Sequence, residues 1–431
     1  MLQTLWNSTA IAATMLIPVS AQAVVAGSPV AVVAGQGAAG AIDTFYRARG
    51  NAPLWFEAGR ESAAAVELVG LLRRAALDGL SSGPQIAGQI EQAISQARSG
   101  DPRIVAAAER TMSSAMVVYV QTLRAPTPGM IYGDPGLPAA APQASIILRD
   151  AAKAQSLGAY LASVSQVNPT YAALRSAALS SGEDPSPVVR ANLERARAIP
   201  ASGRFVLVDA AAAKLWMYED GRAIDSMKVI VGKPQYATPM IASVIHYATV
   251  NPYWHVPDHI VREIVAANVV KQGTSYLTSR GYEVVSEYSG NAMVLSPSSV
   301  DWKAVAAGEA TAKIRQLPGA ENSMGSVKFP FANGEGIYLH DTPDKTLFAK
   351  EQRALSNGCV RLEDAPRLAR WLLGRDLSAG SAEPEQYVRL PKSVPIYITY
   401  LTANSAGGSL SYVDDVYGRD ALPITKTAGI E

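Results

Sequence analysis

The 431-residue chain contains one cysteine, Cys359, and four histidines. A single thiol cannot form an internal disulfide, so Cys359 is either a small buried hydrophobe or a reactive group. His340 lies upstream, with residues 341–355 separating it from the string Ser356-Asn357-Gly358-Cys359-Val360-Arg361. If His340 ends a strand and the spacer loops back, the imidazole can meet the thiol and draw off its proton, leaving the nucleophilic thiolate. Gly358 has no side chain, so a substrate carbonyl can come close to the backbone N–H groups there, as an oxyanion site requires. Arg361 stands two residues beyond Cys359. In an extended stretch the two side chains share a face, where the cation favours thiolate and binds a carboxylate. Spacing alone leaves two readings open, a Cys/His nucleophile and a buried inert thiol.

The elements that must position these groups change character at Arg204. Residues 205–208, 214–218, 227–231 and 243–250 are short β-rich runs parted by turn signals such as Asp220-Gly221, which predicts a mainly antiparallel β domain. Residues 257–270 read as a helix with Ile260, Val261, Ile264 and Val265 on one side, followed by a polar, mixed region to about Gly325. Strand character returns at 336–340, and a short helix opens at Asp364 and stops at Gly374. Upstream, residues 41–200 read as helical. Leu68, Leu71, Leu72 and Ala75 share one face, and Asp101-Pro102 caps a long amphipathic pattern through Met112 and Tyr119 that ends before Pro126. Residues 126–129, 134–142 and 183–187 are loops. The fold class is therefore α+β, helices first and β domain second.

Composition bounds the function classes. A 48% hydrophobic fraction supports a sizeable core, and a formal net charge of +1 provides no field to steer the chain onto nucleic acid. The first 42 residues carry no Asp, Glu, Lys or Arg, and the apolar run 10–19 is followed by Ser20-Ala21-Gln22-Ala23. That reads as a signal peptide, residues 1–23, with a linker over 24–40; the missing basic n-region keeps an uncleaved anchor as the alternative. No later run is long and apolar enough to span a bilayer, and no cysteine near the N-terminus offers a lipid-attachment site. His255 and His259 have a helical metal-ligand spacing, but Pro257 lies between them, so neither a metal nor a cofactor is expected. His246 reads as a strand residue, and Tyr253 and Trp254 as packing or substrate-facing aromatics.

His340, the spacer and Ser-Asn-Gly-Cys-Val-Arg resemble the His…[Ser/Thr]-x-Gly-Cys signature of L,D-transpeptidases with a YkuD-type catalytic domain. The strings at 251–257 (NPYWHVP), 315–319 (RQLPG) and 337–343 (IYLHDTP) resemble its large, YcbB-like subfamily, as do 45–47 (FYR), 53–55 (PLW) and 414–420 (DDVYGRD). The peptidoglycan-binding module of larger members is missing, because 168–171 (NPTY) is followed closely by 192–195 (NLER).

The resemblance implies a scaffold over 41–200, a catalytic domain over 203–400 with a helical lid at about 257–317, and a C-terminal tail over 401–431. It implies that Cys359 attacks the diaminopimelate–D-Ala bond of a peptidoglycan tetrapeptide stem. The thioester then passes to the side-chain amine of a diaminopimelate on another stem. His340 would be the base, the Asp341 backbone its orienting group, and the Gly358 and Cys359 N–H groups the oxyanion site. Tyr338, Arg361, Ser356 and Asn357 match substrate-pocket positions. The expected partners are stem peptides and other cell-wall synthases, and the expected location is the periplasm. The alternative is an L,D-carboxypeptidase or a cross-link-cleaving amidase using the same Cys/His site.

Overall fold

The structure, a computed structural model, describes residues 35–137, 140–182, 186–377 and 383–421. The expected signal peptide at 1–23, the linker as far as residue 34 and the break at 183–185 lie outside the described residues. Among the described residues the first helix is Gly35–Ala48, which starts inside the expected linker, so helical structure begins earlier than the charge pattern indicated.

Helices Ala63–Arg74, Gly83–Ala97, Pro102–Leu123, Ala144–Lys153, Leu157–Gln166, Pro169–Ser180 and Pro187–Ala196 complete the scaffold. Several start on side-chain caps: Ser62 accepts from the Ala65 N–H, Asp101 from Arg103 and Asn168 from Tyr171. Leu68, Leu72, Ile86, Ile90 and Met112 are fully buried where these helices meet. Two buried acids tie the bundle together. Asp78 takes the Arg175 guanidinium and the Tyr119 and Tyr171 hydroxyls. Glu109, on the inner face of the 102–123 helix, accepts the backbone N–H groups of Leu54, Trp55 and Phe56 and the Tyr46 hydroxyl. The 45–47 and 53–55 strings thus converge on one carboxylate that their own pattern does not reveal.

The β-rich half is a sheet closed on itself. Its strands are β1 (Met130–Tyr132), β2 (Phe205–Asp209), β3 (Lys214–Glu219), β4 (Arg222–Gly232), β5 (Met240–Val250), β6 (Val327–Pro330), β7 (Tyr338–His340), β8 (Val360–Leu362) and β9 (Gln386–Thr399). They lie in the order β6-β7-β8-β4-β3-β2-β9-β5-β1, and a further β6–β5 pairing completes the ring. The sheet is mixed: β7–β8, β9–β2 and β1–β5 run parallel. β1 belongs to the scaffold, so the two halves share a sheet through Met130↔Met240, Ile131↔Ile241 and Tyr132↔Ala242.

The lid is inserted between β5 and β6, whose ends are bridged by the Asn251 N–H on the Ser326 carbonyl at 3.1 Å. It has its own apolar core, with Val256, Val261, Val265 and Ile314 at its centre. The expectation of a helical lid is corrected. Besides the helical run Asp258–Ile260, Val261–Ala266 (a π-turn) and Ala267–Gln272, the lid carries a four-stranded sheet including Tyr282–Val285 and Lys313–Gln316. Strands of two to four residues are too short to show period-two alternation. In the described part of the tail, a hairpin of Ala403–Ala406 and Ser409–Tyr412 is followed by a segment that packs back on the barrel.

Replacing Glu109 by Ala leaves three backbone N–H groups without an acceptor, while the Tyr46 hydroxyl keeps Ser113 Oγ and the backbone carbonyl of residue 109. At about 1–3 kcal/mol for each unsatisfied group, offset in part by relaxation, the substitution should cost roughly 3–5 kcal/mol. A denaturant midpoint unchanged by Glu109→Ala would show that the three amides are satisfied another way.

Candidate active site

Two three-residue strands carry the site. The parallel β7–β8 pair sets Leu339 against Val360 and His340 against Arg361, which leaves Cys359 just before β8. The chain reaches Cys359 through Ala354–Ser356, which pairs with the end of β4. The connecting turn requires glycine at 358, where φ is +114° and a Cβ would sit 3.1 Å from Ile337 Cδ1. Ser356 Oγ donates to the Cys359 carbonyl at 2.6 Å and accepts the Gly358 N–H at 3.2 Å. The Gly358 carbonyl accepts from Thr238 Oγ1 at 2.7 Å.

Cys359, His340, Arg361, Ser356 and Asn357 line one cleft of about 80 Å³, which is closed from the lid side by Trp254, Pro257, Ile260, Ser323 and Met324. The thiol points to the Gly336 carbonyl at 3.6 Å, and the Tyr338 backbone N–H faces its sulfur. His340 Nδ1 lies 2.5 Å from the Asp341 carbonyl. A carbonyl only accepts, so Nδ1 carries the proton and Nε2 keeps its lone pair. The Asp341 carboxylate turns away, accepting from Ser326 and pairing with Lys345. The Arg361 guanidinium makes neither a hydrogen bond nor an ion pair among the described residues, and its Nε is buried without a partner.

The geometry bears on three of the expected assignments. The Gly358 N–H is spent on Ser356 Oγ inside the turn, so it does not face the cleft. The Cys359 N–H, in contrast, has no hydrogen-bond partner among the described residues. Tyr338 approaches the sulfur through its backbone N–H, and burial, then the Cys359 charge, raises the affinity of its phenol for the proton. The third concerns the thiolate. Burial pushes the Cys359 thiol up to about 11 against the opposing effects of the Tyr338 N–H and Arg361. Burial, then the Arg361 charge, brings His340 down to about 4. At neutral pH the pair is thiol and neutral imidazole, so the proton must move as the sulfur attacks.

The other histidines lie apart. His246 bonds Ser393 Oγ, His255 stacks on Tyr288 and His259 on Tyr236. Among the described residues no group of three or more His, Cys, Asp or Glu side chains converges on a point. Tyr253 packs under the Arg315 guanidinium, whereas Trp254 reaches the cleft. Ser323 and Met324 carried no sequence signal; they enter the site because the lid returns to the barrel rim beside β6.

The sequence profile of the L,D-transpeptidase catalytic domain (YkuD) matches residues 203–398, and that of a scaffold domain matches residues 40–177. Over 236 residues the chain is 31% identical to the Haemophilus influenzae protein named "Putative L,D-transpeptidase". The overlap covers 53% of this chain and 47% of that one, so the chain spans about half the length of the curated relative it matches. Among solved structures, an L,D-transpeptidase from Mycobacterium smegmatis is 14% identical, covering 46% of this chain and 59% of its own, with a TM-score of 0.24. L,D-transpeptidase 3 from Mycobacterium tuberculosis is 12% identical, covering 46% and 62%, with a TM-score of 0.22.

A thiol held up at about 11 reacts with a neutral alkylating agent in proportion to a small thiolate fraction. Its alkylation rate should therefore climb by about tenfold per pH unit from pH 7 to pH 10. A plateau reached by pH 8 would instead reveal a preformed thiolate–imidazolium pair.

Proposed function

From a chain that carries a YkuD-type L,D-transpeptidase catalytic domain behind a scaffold domain, we propose a peptidoglycan cross-linking enzyme that works through a Cys359 thioester. The observation that carries this reading is the pairing of the sole thiol with an unpartnered guanidinium, Arg361, in one cleft. A buried cation without a counter-ion is costly, and a substrate carboxylate relieves that cost. Stem peptides bring such a carboxylate next to the bond to be broken.

In the reaction, Cys359 Sγ adds to the carbonyl between diaminopimelate and D-Ala while its proton passes to His340 Nε2. The Asp341 carbonyl holds the ring in that tautomer and supports the charge that forms on it. The oxygen of the tetrahedral intermediate is accepted by the Cys359 N–H. Collapse breaks the C–N bond, D-Ala leaves with the proton from His340, and a thioester remains. The side-chain amine of a second diaminopimelate then attacks the thioester, His340 takes its proton, and the thiol is regenerated. No ATP enters, because the energy of the broken peptide bond is retained in the thioester. Trp254, Ile260 and Met324 shield that thioester from water on the lid side. Peptidoglycan lies outside the cytoplasm, so the proposal includes export to the periplasm and work beside other cell-wall synthases. No helix among the described residues is long and apolar enough to cross a membrane.

Purified protein incubated with tetrapeptide muropeptides should yield cross-linked dimers and free D-Ala, resolved by mass. Tripeptides alone would mark an L,D-carboxypeptidase, and cleavage of supplied dimers a cross-link amidase. Cys359→Ala should abolish turnover with the fold intact. His340→Ala should slow acylation at least ~100-fold at neutral pH, with rescue only above about pH 10, because the thiol itself titrates so high. A carbapenem should add one drug mass, located by peptide mapping between Ser356 and Arg361. Arg361→Ala should slow that acylation by roughly 10- to 150-fold, the scale of losing a hydrogen bond to a charged group. An unmodified Cys359 after carbapenem treatment would overturn the reading.

A further inference from the structure

The string at 414–420 has no part in the chemistry above, yet the structure folds it against the turn that supports the nucleophile. Asp420 is locked between Arg195 Nη1 and Thr402 Oγ1, both at 2.7 Å. Asp415 accepts the Tyr400 hydroxyl and the N–H groups of Arg419 and Asp420. These contacts present Tyr417, stacked on Tyr400, and Arg419, lying over both rings, to the loop between β4 and β5. The Tyr417 hydroxyl donates to the Gly232 carbonyl at 2.6 Å and accepts the Thr238 N–H at 3.4 Å; Arg419 Nη2 donates to the Thr238 carbonyl at 3.0 Å. Thr238 is fully buried and gripped at both backbone groups. Its hydroxyl accepts the Gly232 N–H at 2.8 Å and donates to the Gly358 carbonyl at 2.7 Å.

The last bond matters because of peptide geometry. In a trans planar peptide the C=O of one residue and the N–H of the next point in opposite directions. Fixing the Gly358 carbonyl toward Thr238 therefore turns the Cys359 N–H the other way. That N–H has no hydrogen-bond partner among the described residues, and its residue lines the cleft. We propose that Thr238, held from behind by Tyr417 and Arg419, is the positioning residue that aims the Cys359 N–H at the oxyanion formed during acylation. The inference rests on the acyl-transfer reading of the cleft and adds residues from two remote segments to it.

The test compares two reagents on the full-length protein. Acylation by a carbapenem develops an oxyanion, whereas alkylation by iodoacetamide needs only the thiol. Thr238→Val keeps the side-chain shape and removes the hydroxyl. It should slow acylation by roughly 10- to 100-fold, below the range for outright loss of an oxyanion donor, with alkylation within about twofold of wild type. Thr238→Ser should restore acylation. Muropeptide turnover should fall in kcat with KM held, and Tyr417→Phe should show the same pattern to a smaller degree. Unchanged acylation in Thr238→Val, or equal loss towards both reagents, overturns the inference. If melting shows Thr238→Val to be unfolded, Tyr417→Phe decides by the same ratio of rates. A wild-type protein that takes no carbapenem overturns the acyl-transfer reading instead.

Discussion

The site depends on the parallel pairing of two very short strands, with His340 directly beside Arg361. That register places a buried base and a partly buried permanent cation on adjacent strands at the edge of one cleft. The cation lowers the proton affinity of the imidazole and also that of the thiol, but burial outweighs it at the sulfur. The result is an uncharged pair, which desolvation favours over an ion pair at rest. Burial depresses His340 more than the guanidinium does, and the two effects add in holding the imidazole neutral.

β5 is the strand on which the larger pieces meet. Along its eleven residues it pairs with β9, with the scaffold strand β1 and with β6. Its last residues lead into the lid, and the return of the lid starts β6 beside it. An insertion whose ends are neighbours costs little loop-closure entropy, so the barrel can carry a long lid without losing its closure. The same closure leaves few unpaired strand edges on the catalytic half.

Much of this was legible in residue types. The barrel strands 205–208, 214–218 and 243–250 have β-branched or aromatic, turn-bounded patterns, and the scaffold helices announce themselves through the shared face of Leu68, Leu71, Leu72 and Ala75 and through Asp101-Pro102. Cys359, His340 and Arg361 could be singled out because few other residues do their chemistry. What sequence could not supply was direction. Nothing in Ser-Asn-Gly-Cys says that the Gly358 N–H folds inward to Ser356, since that depends on the φ of one glycine. The burial that raises the thiol is likewise invisible to spacing. Glu109 and Thr238 were missed because their partners lie more than 50 and more than 100 residues away.

The order of the chain gives the Tyr417 contact a consequence in time. Cys359 leaves the ribosome well before the segment that steadies its loop, which follows almost 60 residues later. At 5–20 residues per second that lag is roughly 3 to 12 s. Throughout it Gly232 and Thr238 lack the phenol and guanidinium that grip them in the finished fold. A nascent chain can therefore expose its thiol before the turn behind it is fixed, and the finished geometry comes only once the last hairpin and the segment after it have docked.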